Sequence, residues 1–322
     1  MNINIPKNNL YTCSEYPIVL FLKYINRYSD LLWCSSLNFS LNDFSDYIGI
    51  DSDQDVQWLL ESLYNIYNIK INHTSIQDFS SIQREICNQL NKGTPVIVFI
   101  NAYWCPWLMA YKKGKKTPHY IMISGMTEQA FVCNDMMIDT SEYLPFQDFR
   151  EGAQELITFE VLPYKQQECI DIMKHVLNAL LRIRNEKNDI YTNMNIFANS
   201  MHESFDIHNS IQGYEPYKYA PLFTWLKGIS TAREKYSLLL DELVTVYSIE
   251  ELKRYVPCFM NISKEWRHIS IMLFKSVYSN NAQRIYNNIE KIIKGLSDTE
   301  KKAVDEIIDI LKKRVESVYQ NY

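Results

Sequence analysis

The hydrophobic pattern of the first half of the chain mixes helical and extended spacing. Ile18, Leu22 and Ile25 recur three and four residues apart and predict a helix over residues 13–28. Further helices are predicted over residues 54–66 and 78–91, and strands over residues 95–100, 119–125, 130–134 and 156–161. Residues 31–39 are ambiguous and contain a possible strand. Helices followed by a run of strands are typical of an α+β domain with an antiparallel sheet.

The pattern changes after Pro163, where apolar residues recur at helical spacing only. Helices are predicted over residues 165–186, 222–246, 248–255, 261–294 and 297–319. The last two are expected to be separated at Gly295, with Ser297 opening a capping box. The sequence therefore predicts two domains, residues 1–163 and an all-helical region of residues 164–322 that packs on the first.

Composition and charge narrow the class of protein. A hydrophobic fraction of 47% and a charged fraction of 22% are those of a globular chain, and a net charge of -5 gives no reason to expect nucleic-acid binding. No apolar run reaches the length of about 20 residues that a membrane span needs, and the N-terminus lacks the pattern of a signal peptide. The seven cysteines do not suggest a disulfide framework. We therefore expect a cytoplasmic protein.

A cysteine stands at the predicted start of the first helix. Thr12 is the expected N-cap, Glu15 follows three positions later as in a capping box, and Pro17 suits a first turn. The field of a helix N-terminus favours the thiolate, which is the reactive form of cysteine. Cys13 is therefore a candidate nucleophile, although a lone cysteine is more commonly a small core residue.

A histidine and a carboxylate follow on consecutive strands. His119 opens the strand of residues 119–125, and Asp135 directly follows the strand of residues 130–134. An imidazole can accept the thiol proton and a carboxylate can orient the imidazole, which together make a nucleophilic triad. Asn134 is the alternative third member, because strand alternation lets only one of the two neighbours face the histidine.

These segments resemble a known family of cysteine enzymes. Cys, His and Asp come in the chain order of the papain-like superfamily. Residues 96–107, 118–125 and 132–135 are similar to the butirosin-type acyltransferase N-terminal family, and the C39-like bacteriocin-processing peptidases share the core. The resemblance covers about residues 8–160, whereas the helical half matches only in a general way. The family pattern favours Asp135 over Asn134.

The resemblance implies a function. Members transfer an acyl group from a carrier-protein thioester, through an acyl-cysteine, to an amine, as do the amide-forming synthetases of thiotemplated nonribosomal and antibiotic pathways. The expected partners are an acyl or peptidyl carrier protein and a small amine. The phosphopantetheine of the carrier is the substrate arm, and no bound cofactor is expected. The alternatives are a C39-like cytoplasmic cysteine peptidase and an interaction module that has lost its chemistry.

Two further sets of residues are candidates around the triad. Papain-like enzymes often place a Gln a few residues before the cysteine as an oxyanion donor, and this chain has none there. Asn9 and Asn8 are the substitutes, unless backbone N–H groups act alone. The aromatic side chains of Tyr103, Trp104 and Trp107 are candidates for the acyl pocket, or else they belong to the core.

A basic loop precedes the histidine. Lys112, Lys113, Lys115 and Lys116 would suit docking of an acidic carrier protein and its phosphate, and an ordinary solvated loop is the alternative.

Metal and nucleotide chemistry are not expected. His202 and His208 are close in sequence but lack the spacing that places two ligands on one helix face, so we predict no metal site. No glycine-rich phosphate loop is present in the sequence, so ATP-driven ligation is not expected.

Overall fold

A computed structural model of the chain describes residues 10–27, 29–41, 48–49, 52–113, 117–163, 168–185, 189–203, 205–215, 217 and 220–320. The chain divides into two compact units, which we call the sheet unit and the helical unit. The sheet unit comprises Met1–Ser29 and Leu63–Tyr164, and the helical unit comprises Asp30–Ser62 and Lys165–Tyr322.

The secondary structure follows the chain in this order. The strands are β1 (Ser40–Leu41), β2 (Ile48–Gly49), β3 (Ile69–Ser75), β4 (Val96–Asn101), β5 (Pro118–Met126), β6 (Ala130–Asn134), β7 (Glu142–Pro145) and β8 (Ala153–Val161). The helices are α1 (Glu15–Tyr24), α2 (Ser52–Tyr67), α3 (Phe79–Asn91), α4 (Phe146–Gly152), α5 (Cys169–Asn185), α6 (Ile190–Glu203), α7 (Ile207–Ile211), α8 (Pro221–Thr245), α9 (Tyr255–Ser276) and α10 (Ala282–Gln320). Short 3₁₀ helices cover Asp30–Ser35, Ala102–Trp104 and Glu250–Leu252.

The sheet unit is organised around a six-stranded sheet in the order β3-β8-β4-β5-β6-β7. Every neighbouring pair in it is antiparallel. The α+β class with an antiparallel sheet, expected from the sequence, is therefore confirmed. The central strand β4 is apolar on both faces because both are covered, as its burial shows.

Helices cover the sheet through apolar side chains. Ile86 of α3 and Phe149 of α4 share a buried cluster with residues of β4, β5 and β6. The ring of Phe21 in α1 stacks on Phe159 of β8, with centroids 3.8 Å apart and planes 5° apart. Helix α3 begins where Asp78 accepts from the backbone of the first turn. Phe159 lies three residues from Leu156 of that cluster on β8 and so faces the other side of the sheet. Helix α1 therefore covers one face of the sheet, and α3 and α4 cover the other.

The helical unit packs long helices side by side. Helix α8 lies against α9, and α10 lies against α5, α6 and α9. Its largest fully buried side chains include Trp266, Tyr236, Tyr191 and Arg233. The described residues contain no helix with the combination of length and apolarity needed to cross a membrane.

The chain is divided differently from the single break expected at residue 163. Residues 30–62 group with the helices rather than with the sheet. The backbone carbonyl of Asn38 accepts from Arg233 Nη1 at 2.9 Å, and the ring of Phe39 lies 5.7 Å from that of Trp266. Polar and aromatic contacts with residues far along the chain therefore hold this segment, and the local sequence pattern carries no trace of them.

The possible strand within residues 31–39 is wrong. Asp30–Ser35 forms a 3₁₀ helix, and its side chains from Leu31 to Cys34 are all buried. A continuous apolar run does not distinguish a buried strand from a buried helical turn, since both hide every position.

The predicted break at Gly295 is also wrong. Helix α10 runs unbroken from Ala282 to Gln320, and the interruption lies earlier, after α9 ends at Ser276. Ser297 is buried and donates to the backbone carbonyl of Tyr191 at 3.2 Å, so it packs against a neighbouring helix instead of capping one. A glycine inside a helix costs only about 1 kcal/mol, which packing along a long helix outweighs.

Seven of the strands and α-helices were not predicted: β1, β2, β3, β7, α4, α6 and α7. Strand β3 is an edge strand of the sheet, and its residues after Ile69 are mostly exposed and polar, including Lys70 and His73. Edge strands need little apolar surface, so alternation in the sequence is weak there.

Candidate active site

The N-terminus of α1 carries the predicted capping box. The backbone N–H of Thr12 donates to Glu15 Oε2 at 2.8 Å, and the N–H of Glu15 donates to Thr12 Oγ1 at 3.3 Å. The N–H of Tyr16 already reaches the carbonyl of Thr12 at 3.0 Å. The reciprocal pair of the predicted capping box is therefore present, but α1 begins at Glu15 with Ser14, and not Thr12, as its N-cap. Half-buried Cys13 thus lies just before the helix and not in its first turn.

The pairing of β5 with β6 brings the histidine and the carboxylate together. Met122 lies opposite Asn134 in the antiparallel register. Continued by one residue, this register sets Asp135 opposite Ile121, so His119 is its diagonal neighbour on the same face. His119 is 8% exposed and Asp135 is 1% exposed, which places their contact out of bulk water.

Three donors converge on the carboxylate of Asp135. Oδ2 lies 2.6 Å from Nε2 of His119 and also accepts from the indole Nε1–H of Trp107 at 2.7 Å. Oδ1 accepts from the backbone N–H of Met137 at 2.9 Å. Both oxygens of this buried carboxylate are therefore hydrogen-bonded, as its burial requires.

The ring of His119 is the link between the carboxylate and the thiol. Burial of the ring opposes its charged form, but hydrogen bonds to Asp135 and to Cys13 and the charges of both raise the pKa of His119 to about 9. Since Nε2 is engaged by Asp135, Nδ1 is the nitrogen left for the sulfur. The raised pKa favours the imidazolium form of the ring, and Asp135 stabilises this form by its hydrogen bond and its charge.

The alternative third member, Asn134, faces elsewhere. Its Nδ2 donates to Ser124 Oγ at 2.6 Å, and its Oδ1 accepts from Ser141 Oγ at 3.2 Å. Strand alternation turns the two neighbours to opposite faces, and Asp135 is the one that meets His119.

The environment of Cys13 differs from that of most other cysteines. All seven are free thiols. Burial is the main cause that raises the pKa of five of them, which are Cys34, Cys105, Cys133, Cys169 and Cys258. A buried thiol with a raised pKa stays protonated and unreactive at neutral pH. Cys13 is half-buried and has a protonatable ring as its partner.

The aromatic candidates have separate surroundings. Trp107 contacts Asp135, as described above, and its ring packs partly against the core of the sheet unit. Trp104 also packs against this core, and the ring of Tyr103 meets it edge-on at 5.1 Å. Gly152 is what lets α4 approach, because a Cβ there would lie 2.6 Å from Trp104 Cβ.

The basic loop is only partly described. Lys112 forms an ion pair with Asp148, Nζ to Oδ1 3.2 Å, and its Nζ lies 5.6 Å from the centre of the Trp104 ring. Lys113 is exposed. Lys115 and Lys116 lie outside the described residues, as do the oxyanion candidates Asn9 and Asn8.

The described residues contain no cluster of three or more side chains able to hold a metal ion. His202 lies in α6 and His208 in α7.

The sequence gives no sign of two sets of contacts at the site, those of Asp148 and the hydrogen bond of Trp107. Asp148 is a buried carboxylate that binds both Lys112 and the hydroxyl of Tyr111, the latter at 2.9 Å. The sequence makes Trp107 a candidate for lining the acyl pocket and does not indicate its hydrogen bond to Asp135. No spacing rule signals either contact, because each joins loops or elements that are far apart in sequence.

Comparison with known proteins identifies no relative of this chain that would assign a function to these residues. No family model matches the chain, and neither does any curated protein. The arrangement of Cys13, His119 and Asp135 is therefore what carries the functional interpretation.

Proposed function

We propose that this chain is a papain-like cysteine acyltransferase that forms an amide bond. It takes an acyl group from the thioester of an acyl or peptidyl carrier protein and passes it to an amine in a nonribosomal, antibiotic-type biosynthesis. The observation that carries the proposal is the hydrogen-bonded series from the Cys13 thiol through His119 to Asp135. The chain order of these residues, and a nucleophile at a helix start beside an antiparallel sheet, support the papain-like assignment.

The first half-reaction loads the enzyme. The Cys13 thiolate attacks the thioester carbonyl carbon, and a tetrahedral oxyanion forms. As it collapses, the carbon–sulfur bond to pantetheine breaks, and the His119 imidazolium gives its Nδ1 proton to the departing pantetheine thiolate. The products are an acyl-Cys13 thioester, a neutral His119 and free pantetheine thiol on the carrier.

The second half-reaction makes the amide. A neutral amine attacks the acyl carbon, and His119 accepts the proton that the amine loses. The Cys13 thiolate leaves, which restores the starting ion pair. Asp135 holds the ring in position and stabilises its charged form through both steps. No ATP is consumed, because the thioester is already activated.

The remaining sequence candidates enter the proposal as supports. Asn9, Asn8 or the amides at the α1 N-terminus would bind the oxyanion. Tyr103 and Trp104 would line the acyl side and keep water from the acyl-enzyme, since water would turn a transferase into a hydrolase.

The basic loop is the proposed docking site for the acidic carrier protein. Since Lys112 is engaged with Asp148, the exposed Lys113 together with Lys115 and Lys116 would carry this role. Changing these three lysines to Glu should raise KM for a carrier-bound substrate and leave KM for a free acyl-pantetheine unchanged. An equal effect on both substrates would reject docking at this loop.

Intact-protein mass spectrometry tests the function directly. Wild type, Cys13→Ala and Cys87→Ala are incubated with an acyl-pantetheine or an acyl-loaded carrier protein, with and without a diamine. Cys87 is the matched control, since it is another half-buried cysteine of the sheet unit. We expect an acyl mass increase on wild type and Cys87→Ala only, and its replacement by amide product when amine is added.

Other outcomes separate the alternatives. An adduct that decays to free acid while amine is ignored would make the protein a thioesterase. Cys13-dependent cleavage of a peptide library, with no acyl adduct, would favour the C39-like peptidase. Absence of every Cys13-dependent reaction would leave the interaction module.

A further inference from the structure

The donors on Asp135 are not equivalent. His119 and the indole of Trp107 share one oxygen, Oδ2, at 2.6 and 2.7 Å, and the backbone of Met137 holds the other. A single backbone donor on Oδ1 leaves a carboxylate free to turn about its Cβ–Cγ bond, because terminal sp²–sp³ torsions have broad minima. A second fixed donor on Oδ2 removes that freedom.

The indole is presented by a braced segment of backbone. The N–H of Cys105 donates to the carbonyl of Ala102 at 3.1 Å, and the N–H of Lys112 donates to the carbonyl of Tyr103 at 2.9 Å. These bonds close the segment of residues 102–112 on itself, on both sides of Trp107.

Helix α4 anchors the same segment through side chains. The buried carboxylate of Asp148 accepts from the Tyr111 hydroxyl at 2.9 Å and pairs with Lys112 Nζ at 3.2 Å. Gly152 allows close contact with Trp104, as described above. Residues on α4 thus fix the segment that carries the indole, which in turn contacts Asp135.

We propose that Trp107 is a positioning residue, whose indole N–H locks the Asp135 carboxylate so that Oδ2 stays aligned with His119. This inference rests on the proposed function of His119 as the base for Cys13. Trp107 acts through Asp135 and is not assigned a contact with substrate.

The proposal has a consequence beyond packing. If the indole N–H is removed, Asp135 turns and its hydrogen bond to His119 is made for only part of the time. That bond raises the pKa of His119, so its loss moves the pKa from about 9 back towards 6.5. The His119 imidazolium then loses its proton at a lower pH, and Cys13 reacts more slowly near neutrality because its charged partner is populated less.

The test follows Cys13 alkylation by iodoacetamide and the titration of His119 by NMR, from pH 5 to 10. The variants are Trp107→Phe and a replacement of Trp107 by 3-benzothienylalanine, which keeps the bicyclic shape but has sulfur in place of N–H. Asp135→Asn is the positive control. Trp225→Phe, a half-buried tryptophan in the helical unit, controls for loss of an indole.

We expect both Trp107 variants to lower the alkylation rate at pH 7 by about tenfold or more, since a hydrogen bond to a charged group is lost. The His119 titration should shift down in the same variants, and neither quantity should change in Trp225→Phe. The benzothienyl variant keeps the test valid if Trp107→Phe fails to fold.

Rejection of the positioning role of Trp107 and rejection of the proposed function give different results in this test. If wild type shows His119-dependent alkylation and the benzothienyl variant matches it in rate and titration, the positioning role is rejected and the function stands. If Cys13 is alkylated no faster in wild type than in His119→Ala, the proposed function itself is rejected.

Discussion

Among the described residues, a buried ion pair of the sheet unit can be compared with one of the helical unit, and the two pairs differ in the group that lies beside them. In the sheet unit, His119 meets Asp135 at 2.6 Å, and their side chains are 10% and 0% exposed. In the helical unit, Arg233 binds Glu300 through two hydrogen bonds of 2.9 and 3.1 Å, and both side chains are 0% exposed. Both pairs are cut off from water and hydrogen-bonded on two sides.

The difference is in the third partner. His119 also contacts the half-buried thiol of Cys13, which has a proton to exchange. Arg233 instead donates to the backbone carbonyl of Asn38 at 2.9 Å, a group that cannot titrate. Burial of a charge pair by itself therefore indicates no chemistry. A buried pair becomes a candidate active site when it ends at an accessible nucleophile.

Removing the imidazole should give the largest effect on activity. His119→Ala should lower Cys13-dependent acyl transfer by about 10²–10⁴-fold, the usual contribution of a general base. His73→Ala is the matched control, because His73 is an exposed histidine of the same sheet that pairs with Glu155. Initial rates on acyl-pantetheine measure both. Equal rates for the two variants would show that His119 has no special role in the reaction, and the contrast between the His119–Asp135 and Arg233–Glu300 pairs would be lost.

The helical pair should respond through stability. Arg233→Ala leaves the Glu300 carboxylate buried and unpaired, which should lower the free energy of unfolding by about 3–5 kcal/mol. Arg314→Ala breaks an exposed pair with Glu251 and should cost at most about 1 kcal/mol. Urea denaturation gives both values. The double variant Arg233→Met, Glu300→Leu should recover most of the loss, and a double variant as unstable as Arg233→Ala would contradict this account.

The packing of the segment that contacts the His119–Asp135 pair can be tested at a glycine. Gly152→Ala would place a Cβ 2.6 Å from Trp104 Cβ, so the segment of residues 102–112 must shift, at a cost of about 1–3 kcal/mol. Gly295→Ala adds a Cβ that meets no described atom within 4 Å besides the adjoining backbone of its own helix and its chain neighbours, and it should stabilise helix α10 by up to about 1 kcal/mol. Thermal melts compare the two. A neutral Gly152→Ala would mean that this segment yields easily.

Another buried carboxyl, that of Glu242, shows the effect of burial where no ion pair is seen among the described residues. Burial, together with the charges of Asp30 and Asp241, raises the pKa of Glu242 to about 7. A carboxyl with a raised pKa favours the folded state below its unfolded pKa, near 4.5, and this contribution is lost as pH rises through 7. Glu242→Gln should therefore stabilise the protein at pH 8, by on the order of 1–2 kcal/mol, and have little effect at pH 4.

Urea midpoints of Glu242→Gln and of wild type at both pH values measure this effect. Glu300→Gln is the contrasting variant, since Glu300 has Arg233 as partner and its neutralisation should destabilise at pH 8. If both variants were more stable than wild type, the Arg233–Glu300 ion pair would make no net contribution to the free energy of unfolding.

The local features of the site were predictable from the sequence. A capping box depends on residues three apart, so Thr12 and Glu15 could be read directly, and with them the place of Cys13. In an antiparallel hairpin the start of the first strand lies beside the end of the second. His119, near the start of β5, and Asp135, just after β6, are therefore expected to be neighbours, and they are. The papain-like assignment and the acyl-transfer chemistry stay proposals.

Other features required contacts between distant parts of the chain. The hydrogen bond from Trp107 to Asp135 joins a loop to the end of a strand, and an aromatic residue near an apolar run has no periodicity that announces such a bond. The sequence suggests that Lys112 is one lysine of a solvated loop, whereas the structure shows that it forms an ion pair with Asp148 of α4. Helix α10 crosses Gly295 without a break because its buried face packs on other helices.

By itself, the sequence determined the α+β class, the start of helix α1 to within two residues and the order of the three candidate residues, because periodicity and capping act over a few neighbouring positions. Only the tertiary structure decided that Asp135 and not Asn134 meets His119, that Trp107 holds the carboxylate, and that residues 30–62 belong with the helices. Those outcomes depend on burial and on hydrogen bonds between residues far apart along the chain, whose free energy exists only once the core has formed.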